Sequence, residues 1–312
     1  MHPVKSRARD ILCIGESAVD VLGFTGRLVD SESSMHLTKL RESYGGRGSN
    51  FLIFSRVFGA DSLLVSPVGY DFGSLGYALY FEKSRIDTSG LFRSEKSATP
   101  RAFIFSDKQD SRTFFYGGVL NNERDAFAKH ALSLVKKTDY RALYCTAGLR
   151  EINEQALAIS KASLNCYAPG HEIFYNTSRG LKKCLSCTNL LFLNELEAQI
   201  MEKKLKSPIE HLMEDYGIKI AIVTLGGNGS ELHVDGAHIH ILPYKPRRVI
   251  NTAGPGDAFA GAFVANYLKS KDAVYSARVA SATASFVVEE LGCQANIPEI
   301  GEIMRRMKGT ET

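Results

Sequence analysis

The chain has 312 residues, 44% hydrophobic and 23% charged, with a formal net charge of +4. Those proportions describe an ordinary globule that can bury a large core, as one large α/β domain or a main domain with a small appendage. A weak positive bias suits an anionic substrate such as a nucleotide but does not mark a nucleic-acid binder, and no apolar run approaches the roughly 20 residues that span a bilayer.

The start, "MHPVKSRARD", is basic but leads straight into "ILCIG", too short for the apolar region of a signal peptide. The six cysteines mostly sit in apolar runs, as Cys13 and Cys145 do. That usage fits buried thiols in a reducing cytoplasm better than a disulfide framework. Cys184 and Cys187 form a C-x-x-C with no second pair to complete a zinc site. A cytoplasmic protein without a membrane or nucleic-acid partner is expected.

The first apolar run, "ILCIG" at 11–15, predicts a buried strand. Residues 16–45 then carry alternating patterns, "VDVLGFTGRLVD" and "SSMHLTKLRESYGG", too short for a crossover helix. A Gly-Gly turn leads into a predicted helix over Ser49–Val57, followed by a strand "SLLVSPVG" at 62–69. Residues 98–118, "ATPRAFIFSDKQDSRTFFYGG", read as two strands joined by a polar turn at Asp107–Ser111. The two interrupting pieces predict a small antiparallel sheet laid over a main one as a lid. Beyond them, helices over Ala126–Val135, Ile152–Ser163 and Glu195–Lys204 alternate with strands at 141–148, 189–195 and 220–227. Short Leu-rich or β-branched runs alternating with helices predict an α/β, doubly wound, mostly parallel sheet whose ligands lie beyond the strands' carboxyl ends.

Near the C-terminus comes "NTAGPGDAFAGAFVAN": a predicted strand at Arg248–Ile250, a glycine-rich turn, then a helix from about Gly256 to Leu268. Small residues at Ala258, Ala260, Gly261 and Ala262 would let that helix approach its neighbours closely. Glycines before a helix N-terminus offer free N–H groups and the positive end of the dipole to an anion. Taken alone, Asp257 in the first turn is also explained by capping. The alternative is a base that takes a proton from a substrate hydroxyl while the N–H groups hold a transferring phosphoryl group.

A second stretch tips the balance. "YGGRGSNFLIFSRVFGADSLLVSPVGYDFGS" at 44–74 and the Asn251–Asp257 turn resemble the two signature regions of the PfkB family of carbohydrate and nucleoside kinases, the ribokinase-like fold. "IGESAVD" at 14–20, "NELE" at 194–197 and "VTLGGNGS" at 223–230 resemble three further motifs of that family in the right order. The resemblance spans nearly the whole chain and implies a single kinase domain over 1–312, with a discontinuous lid from about 16–45 and 98–118.

It also implies roles. Asp257 would be the general base, with Gly254, Gly256 and Asp257 supplying an anion hole. Asp20, Gly46 and Asn50 would hold acceptor hydroxyls, with Gly45 giving close backbone approach. Asn194 and Glu197 would organise Mg²⁺ and phosphates, Glu197 through water, and Thr224, Gly226 and Gly229 would line ATP. Read without the family, Asn194-Glu195-Leu196-Glu197 is equally a plain helix start, and Asp20 a solvated strand end. Exposed lids in this family often pair, which implies a homodimer through the lid.

Two departures matter. Asn251 replaces the usual first Asp, so a bound monovalent cation is not expected. Pro255 replaces Ala and removes one N–H near the anion hole, which calls for a compensating lysine or arginine. The lid is aromatic, with Phe24, Phe103, Phe105, Phe114, Phe115 and Tyr116. These rings pack the lid or stack on a base, and the stretch resembles nucleoside-type members. The expected activity is ATP-dependent phosphorylation of a nucleoside's ribose 5′-hydroxyl. The alternatives are a sugar kinase (ribose, fructose, ketodeoxygluconate or inositol type) and a non-catalytic ligand-binding relative. A dinucleotide-dependent dehydrogenase is disfavoured because no G-x-G-x-x-G follows the first strand.

Overall fold

Buried aliphatic runs pair side by side, and the helices between them cover both faces of the sheet they make. The computed structural model describes residues 8–28, 34–107, 112–118, 123–250 and 253–309, with the backbone alone at 112–116. The first half of the chain runs β1 (Arg9–Ile14), β2 (Ala18–Phe24), β3 (Lys39–Gly45), α1 (Arg47–Val57), β4 (Ser62–Val65), β5 (Pro67–Val68), α2 (Tyr77–Lys83), β6 (Phe92–Arg93), β7 (Arg101–Ser106), β8 (Arg112–Gly117), α3 (Arg124–Lys137) and β9 (Tyr140–Thr146). The second half runs α4 (Arg150–Ile159), β10 (Leu164–Ala168), α5 (Ser178–Leu185), β11 (Leu190–Asn194), α6 (Glu195–Leu205), α7 (Ile209–Tyr216), β12 (Ile220–Thr224), β13 (Ser230–Val234), β14 (Ala237–Ile241), α8 (Pro255–Ser270), α9 (Ala273–Val287) and α10 (Ile300–Met307).

The main sheet has eight strands in the order β14-β13-β12-β11-β10-β9-β1-β4. From β4 to β12 every neighbour is parallel, and β13 and β14 close the edge as an antiparallel hairpin. Alternation along β1 shows why both faces are dry. Ile11 and Cys13 enter the core under α1, α8 and α9, while Leu12 and Ile14 enter the core under α3 to α7.

The two interrupting pieces meet as expected, in a separate sheet ordered β3-β2-β7-β8. Its pairing is antiparallel at β2–β3 and β7–β8 but parallel at β2–β7. The polar turn predicted between β7 and β8 lies mostly outside the described residues. Asp71 anchors the lid's base, accepting from the Thr99 N–H at 2.7 Å and pairing with Arg101 at 3.0 Å. Burial works against the charge of Asp71, but the Thr99 and Arg101 hydrogen bonds hold its carboxyl below the usual range.

Three elements differ from expectation. The run at 62–69 is not one strand: Pro67 cannot donate to the ladder of β4, and β5 pairs instead with β6 in a small sheet. Arg248–Ile250 is not a strand, because its polar groups turn to the end of α9. The Ile250 N–H donates to the Val288 carbonyl at 2.7 Å, and the Arg247 N–H donates to Glu289 at 2.8 Å. The helix predicted to reach Ser163 stops at Ile159, since the chain must turn extended at Ser160 to enter β10, a strand whose short, mixed run "LNCYA" carries little apolar signal.

Helices α1 and α8 cross closely because of Gly261. A Cβ there would lie 2.3 Å from the Phe51 carbonyl oxygen of α1, which is backbone and cannot swing aside. Gly261→Ala is therefore expected to destabilise the protein by roughly 1–2 kcal/mol, overpacking outweighing the gain in helix propensity. A melting temperature at or above wild type would refute this account of the crossing.

Candidate active site

The carboxyl ends of β1, β9, β10, β11 and β12, the N-terminus of α8 and the inner face of the lid surround a cavity of about 780 Å³. This is where an open α/β sheet offers its ligand site. Ten of the twelve residues singled out from sequence line it: Asp20, Gly46, Asn50, Asn194, Glu197, Thr224, Gly226, Gly254, Gly256 and Asp257. Gly45 and Gly229 do not. A Cβ at Gly45 would lie 2.0 Å from the Asp20 carboxylate, so this glycine makes room for Asp20. A Cβ at Gly229 would lie 2.1 Å from the Ile241 carbonyl, which makes it a packing glycine of the β13–β14 hairpin.

Helix α8 begins with Gly254 as its left-handed N-cap (φ 93°) and Pro255 as its first residue. The Asp257 N–H donates to the Gly254 carbonyl at 3.1 Å. Pro255 cannot donate, and Gly256, whose N–H opens the helix, lines the cavity. Across the gap, Asn50 of α1 donates through Nδ2 to Asp257 Oδ2 at 3.0 Å. Gln294 in turn donates to Asn50 Oδ1 at 2.8 Å. Asn50 is therefore held at both ends, with its amide aimed at the acid. Gln294 holds Asn50 in place, and no pattern in its own stretch, "GCQAN", brought it forward.

Asn194 and Glu197 form a complete capping box at the start of α6. The Glu197 N–H donates to Asn194 Oδ1 at 2.8 Å, and the Asn194 N–H donates to Glu197 Oε2 at 3.0 Å. The other carboxylate oxygen, Oε1, stands 4.0 Å from the guanidinium of Arg47. Both the helix-start reading and a site at the cavity wall are thus met by the same two side chains.

Arg47 is the charged residue the sequence reading passed over, although it lies inside the quoted "GGRGSN". From the first position of α1 it reaches over Gly170, where a Cβ would meet its Nη1 at 2.2 Å. Glu16, Arg124, His171 and Glu172 also converge on the cavity. They come from three distant segments, His171 and Glu172 being neighbours, and no spacing in the sequence links the three.

The carboxylates here are held in an environment that disfavours charge. Burial, and then the neighbouring Asp257, push Asp20 up to about 7. Burial, and then Glu172, push Glu16 up to about 7 against the opposing pull of Arg47 and Arg124. Burial also raises Asp257, while Arg47 and the Asn50 hydrogen bond draw it back down and Glu197 adds to the rise. Burial and then Arg47 lower His171 to about 4, so its ring is neutral at pH 7.

The lid presents Ala102 and Ile104 to the cavity. Phe103 and Phe105 lie on its other face: Phe105 covers Gly23, where a Cβ would meet its ring at 2.6 Å, and Phe103 is exposed. Neither ring lines the cavity. The ladder sets Tyr116 opposite Ala102 and Phe114 opposite Ile104; their side chains, and the backbone at Asn251 and Thr252, lie outside the described residues.

An acid at a helix N-terminus, a neighbouring arginine and a capped acidic helix start, all in one lidded cleft at the end of a parallel sheet, define a small-molecule phosphotransferase. The comparisons agree. Residues 8–300 match the description "pfkB family carbohydrate kinase". The chain is 30% identical over 301 residues to a nucleoside kinase of Methanocaldococcus jannaschii, covering 96% of each. A crystal structure of a Methanocaldococcus jannaschii nucleoside kinase superposes with a TM-score of 0.86 at 28% identity, over 97% of this chain and 100% of that one. A Burkholderia thailandensis nucleoside kinase in complex with ADP and inosine has the same fold, with a TM-score of 0.83 at 17% identity over 96% and 95% of the two chains. The protein belongs to the PfkB family, and it is a sugar or nucleoside kinase of the ribokinase-like fold.

The Asp20 carboxyl yields a test. Its folded-state pKa is raised, so the folded form holds a proton that the unfolded chain releases from about pH 4 upward. The resulting stability is present at low pH and is lost as pH rises toward 7. Asp20→Asn, which cannot ionise, should raise the melting temperature of the ligand-free protein more at pH 8 than at pH 5. Equal shifts at the two pH values would show that Asp20 is not held in this way.

Proposed function

We propose that this protein is an ATP-dependent nucleoside kinase that phosphorylates the ribose 5′-hydroxyl, with Asp257 as general base. The observation that carries the reading is the placement of Asp257. It is half-buried at the N-terminus of α8, oriented by Asn50, in a cleft that runs from Asp20 under the lid to Thr224 and Gly226 at the end of β12. Asp20 and Asn50 hold the acceptor, and the turn after β12 takes the nucleotide. The acceptor oxygen attacks the γ-phosphorus, the bond to the β,γ-bridging oxygen breaks to release ADP, and the proton passes to Asp257 and then to solvent. The nucleoside is favoured over a simple sugar by similarity to nucleoside kinases over nearly the full length. Phe103 and Phe105, which do not line the cavity, are not the rings that would meet a base.

The donor set fits Mg²⁺. Glu197 spends one oxygen on the capping box and keeps Oε1 on the cavity side, a hard oxygen that can hold the ion through water. When bound, Mg²⁺ neutralises phosphate charge. Arg47 supplies the cation that the loss of the Pro255 N–H calls for: its guanidinium lies close enough to draw down Asp257, and it shares the cavity wall with Gly256. The chain works as one catalytic unit with a discontinuous lid, and the lid's exposed outer face, with Leu40 at 62% and Phe103 at 37%, would pair with a second copy, giving twice the chain mass in solution.

The test is ATP-dependent turnover on a panel of ribonucleosides and free sugars. Turnover on nucleosides is expected, and turnover on sugars alone would move the acceptor to the carbohydrate class. Asp257→Asn should lower kcat by roughly 10²–10⁴-fold with the fold intact. Arg47→Ala should lower it by roughly 10²-fold, with partial recovery in Arg47→Lys. Near-normal turnover in Asp257→Asn would refute the base, and near-normal turnover in Arg47→Ala would remove the arginine from the anion hole.

A further inference from the structure

At the edge of the main sheet, outside the lining of the cleft, three potential metal ligands come together. His233 of β13 and His238 of β14 are directly opposite in the antiparallel ladder. The Asp235-Gly236 turn, with φ 51° and 75°, closes the hairpin in the left-handed conformation that suits two-residue connections and fixes that register. The two imidazoles stack with centroids 4.4 Å apart and planes 12° apart. Glu210, from α7 above this face, brings Oε1 to 3.4 Å from His233 Nδ1. One ligand atom from each of the three residues lies within 4.8 Å of the others.

A second ring of contacts supports these groups. Glu231, on the same face, meets His238 Nε2 at 2.6 Å and His240 Nδ1 at 2.7 Å. A carboxylate on one ring nitrogen orients a histidine and leaves its other nitrogen for a metal. Tetrahedral zinc with Zn–N near 2.0–2.1 Å needs ligand atoms about 3.3 Å apart. The His233–Glu210 pair is already at that separation. The other two pairs need to close by no more than about 1.5 Å, and His238 must turn out of its near-parallel stack on His233 so that both ring nitrogens point at one ion; both Glu210 and His238 are exposed and can turn.

We propose that His233, His238 and Glu210 form a binding site for a late first-row divalent cation such as Zn²⁺, with water in the fourth position. Two imidazoles and a carboxylate select such ions over Mg²⁺, so the ion that accompanies the nucleotide does not compete here. A bound ion ties α7 to the β13–β14 hairpin, whose opposite end carries the turn at Gly226–Gly229. Its first effect is on stability, since an ion that binds the folded chain alone stabilises it.

The test uses full-length protein stripped with a chelator and titrated with Zn²⁺ by calorimetry and with Co²⁺ by visible absorbance. One ion per chain is expected, with a tetrahedral Co²⁺ band and a rise in melting temperature on adding Zn²⁺. His238→Gln, an exposed change that keeps a donor for Glu231, should weaken binding at least tenfold and abolish the thermal shift while Mg²⁺-supported turnover stays unchanged. Glu210→Gln should weaken binding in the same direction. Cys187→Ser should leave binding intact, which separates this site from the C-x-x-C. No saturable binding, binding unaffected by His238→Gln, or binding lost in Cys187→Ser would each overturn the proposal.

Discussion

The hydrogen bond from Asn50 to Asp257 joins residues 207 positions apart, and much of the architecture serves to make it. Asn50 is in the first turns of α1, which follows the lid strand β3, and Asp257 opens α8 near the end of the chain. The two helices meet at 3.0 Å between side chains only because Gly261 lets their backbones cross without an intervening Cβ. The small residues of α8 (Ala258, Ala260 and Ala262) are fully buried and extend the same close packing along the helix. The acid could not be held this firmly on a loop: its backbone belongs to a 16-residue helix, and its carboxylate is fixed from a second one.

The site this contact supports is electrostatically costly to the folded chain. Asp20, Glu16, Glu172 and Asp257 all have carboxyls raised chiefly by burial. Carboxylates crowded around one cleft disfavour the ionised folded state. The same crowding raises the carboxyls of Asp20 and Glu16 to about 7. Arg47 and Arg124 offset part of the repulsion. Arg47 does so from the first turn of a helix whose dipole would by itself favour an anion there.

The lid depends on a different kind of fastening. Its two pieces come from separate parts of the chain and are joined by the parallel β2–β7 pairing. Asp71 then ties the base of that pairing to the main body through Thr99 and Arg101. The inner face is small and aliphatic where it meets the cavity, and the bulky rings of β7 lie outside. A β-strand alternates its side chains, so aromatic content alone could not tell which face would be inward. A shift of one residue would have exchanged Ile104 for Phe103.

The sequence by itself determined the alternation of buried strands and helices, the lid as two interrupting pieces, and the family, because short apolar runs and glycine-rich turns are local signals read over fewer than ten residues. It also marked the acid at the start of α8 and the N-x-x-E at the start of α6, since a helix start is written in adjacent residues. Tertiary structure alone decided that Asn50 faces Asp257, that Gln294 holds Asn50, that Arg47 and Glu197 share a wall, and that Gly45 serves Asp20 and Gly229 serves Ile241. It also decided that Arg248–Ile250 leaves the sheet for the end of α9, and that His233, His238 and Glu210 meet. Apart from the short-range pairings across the β13–β14 hairpin, these are contacts between segments separated by tens to hundreds of residues, where distance in space is set by how helices cross and strands align, and no local pattern carries that information.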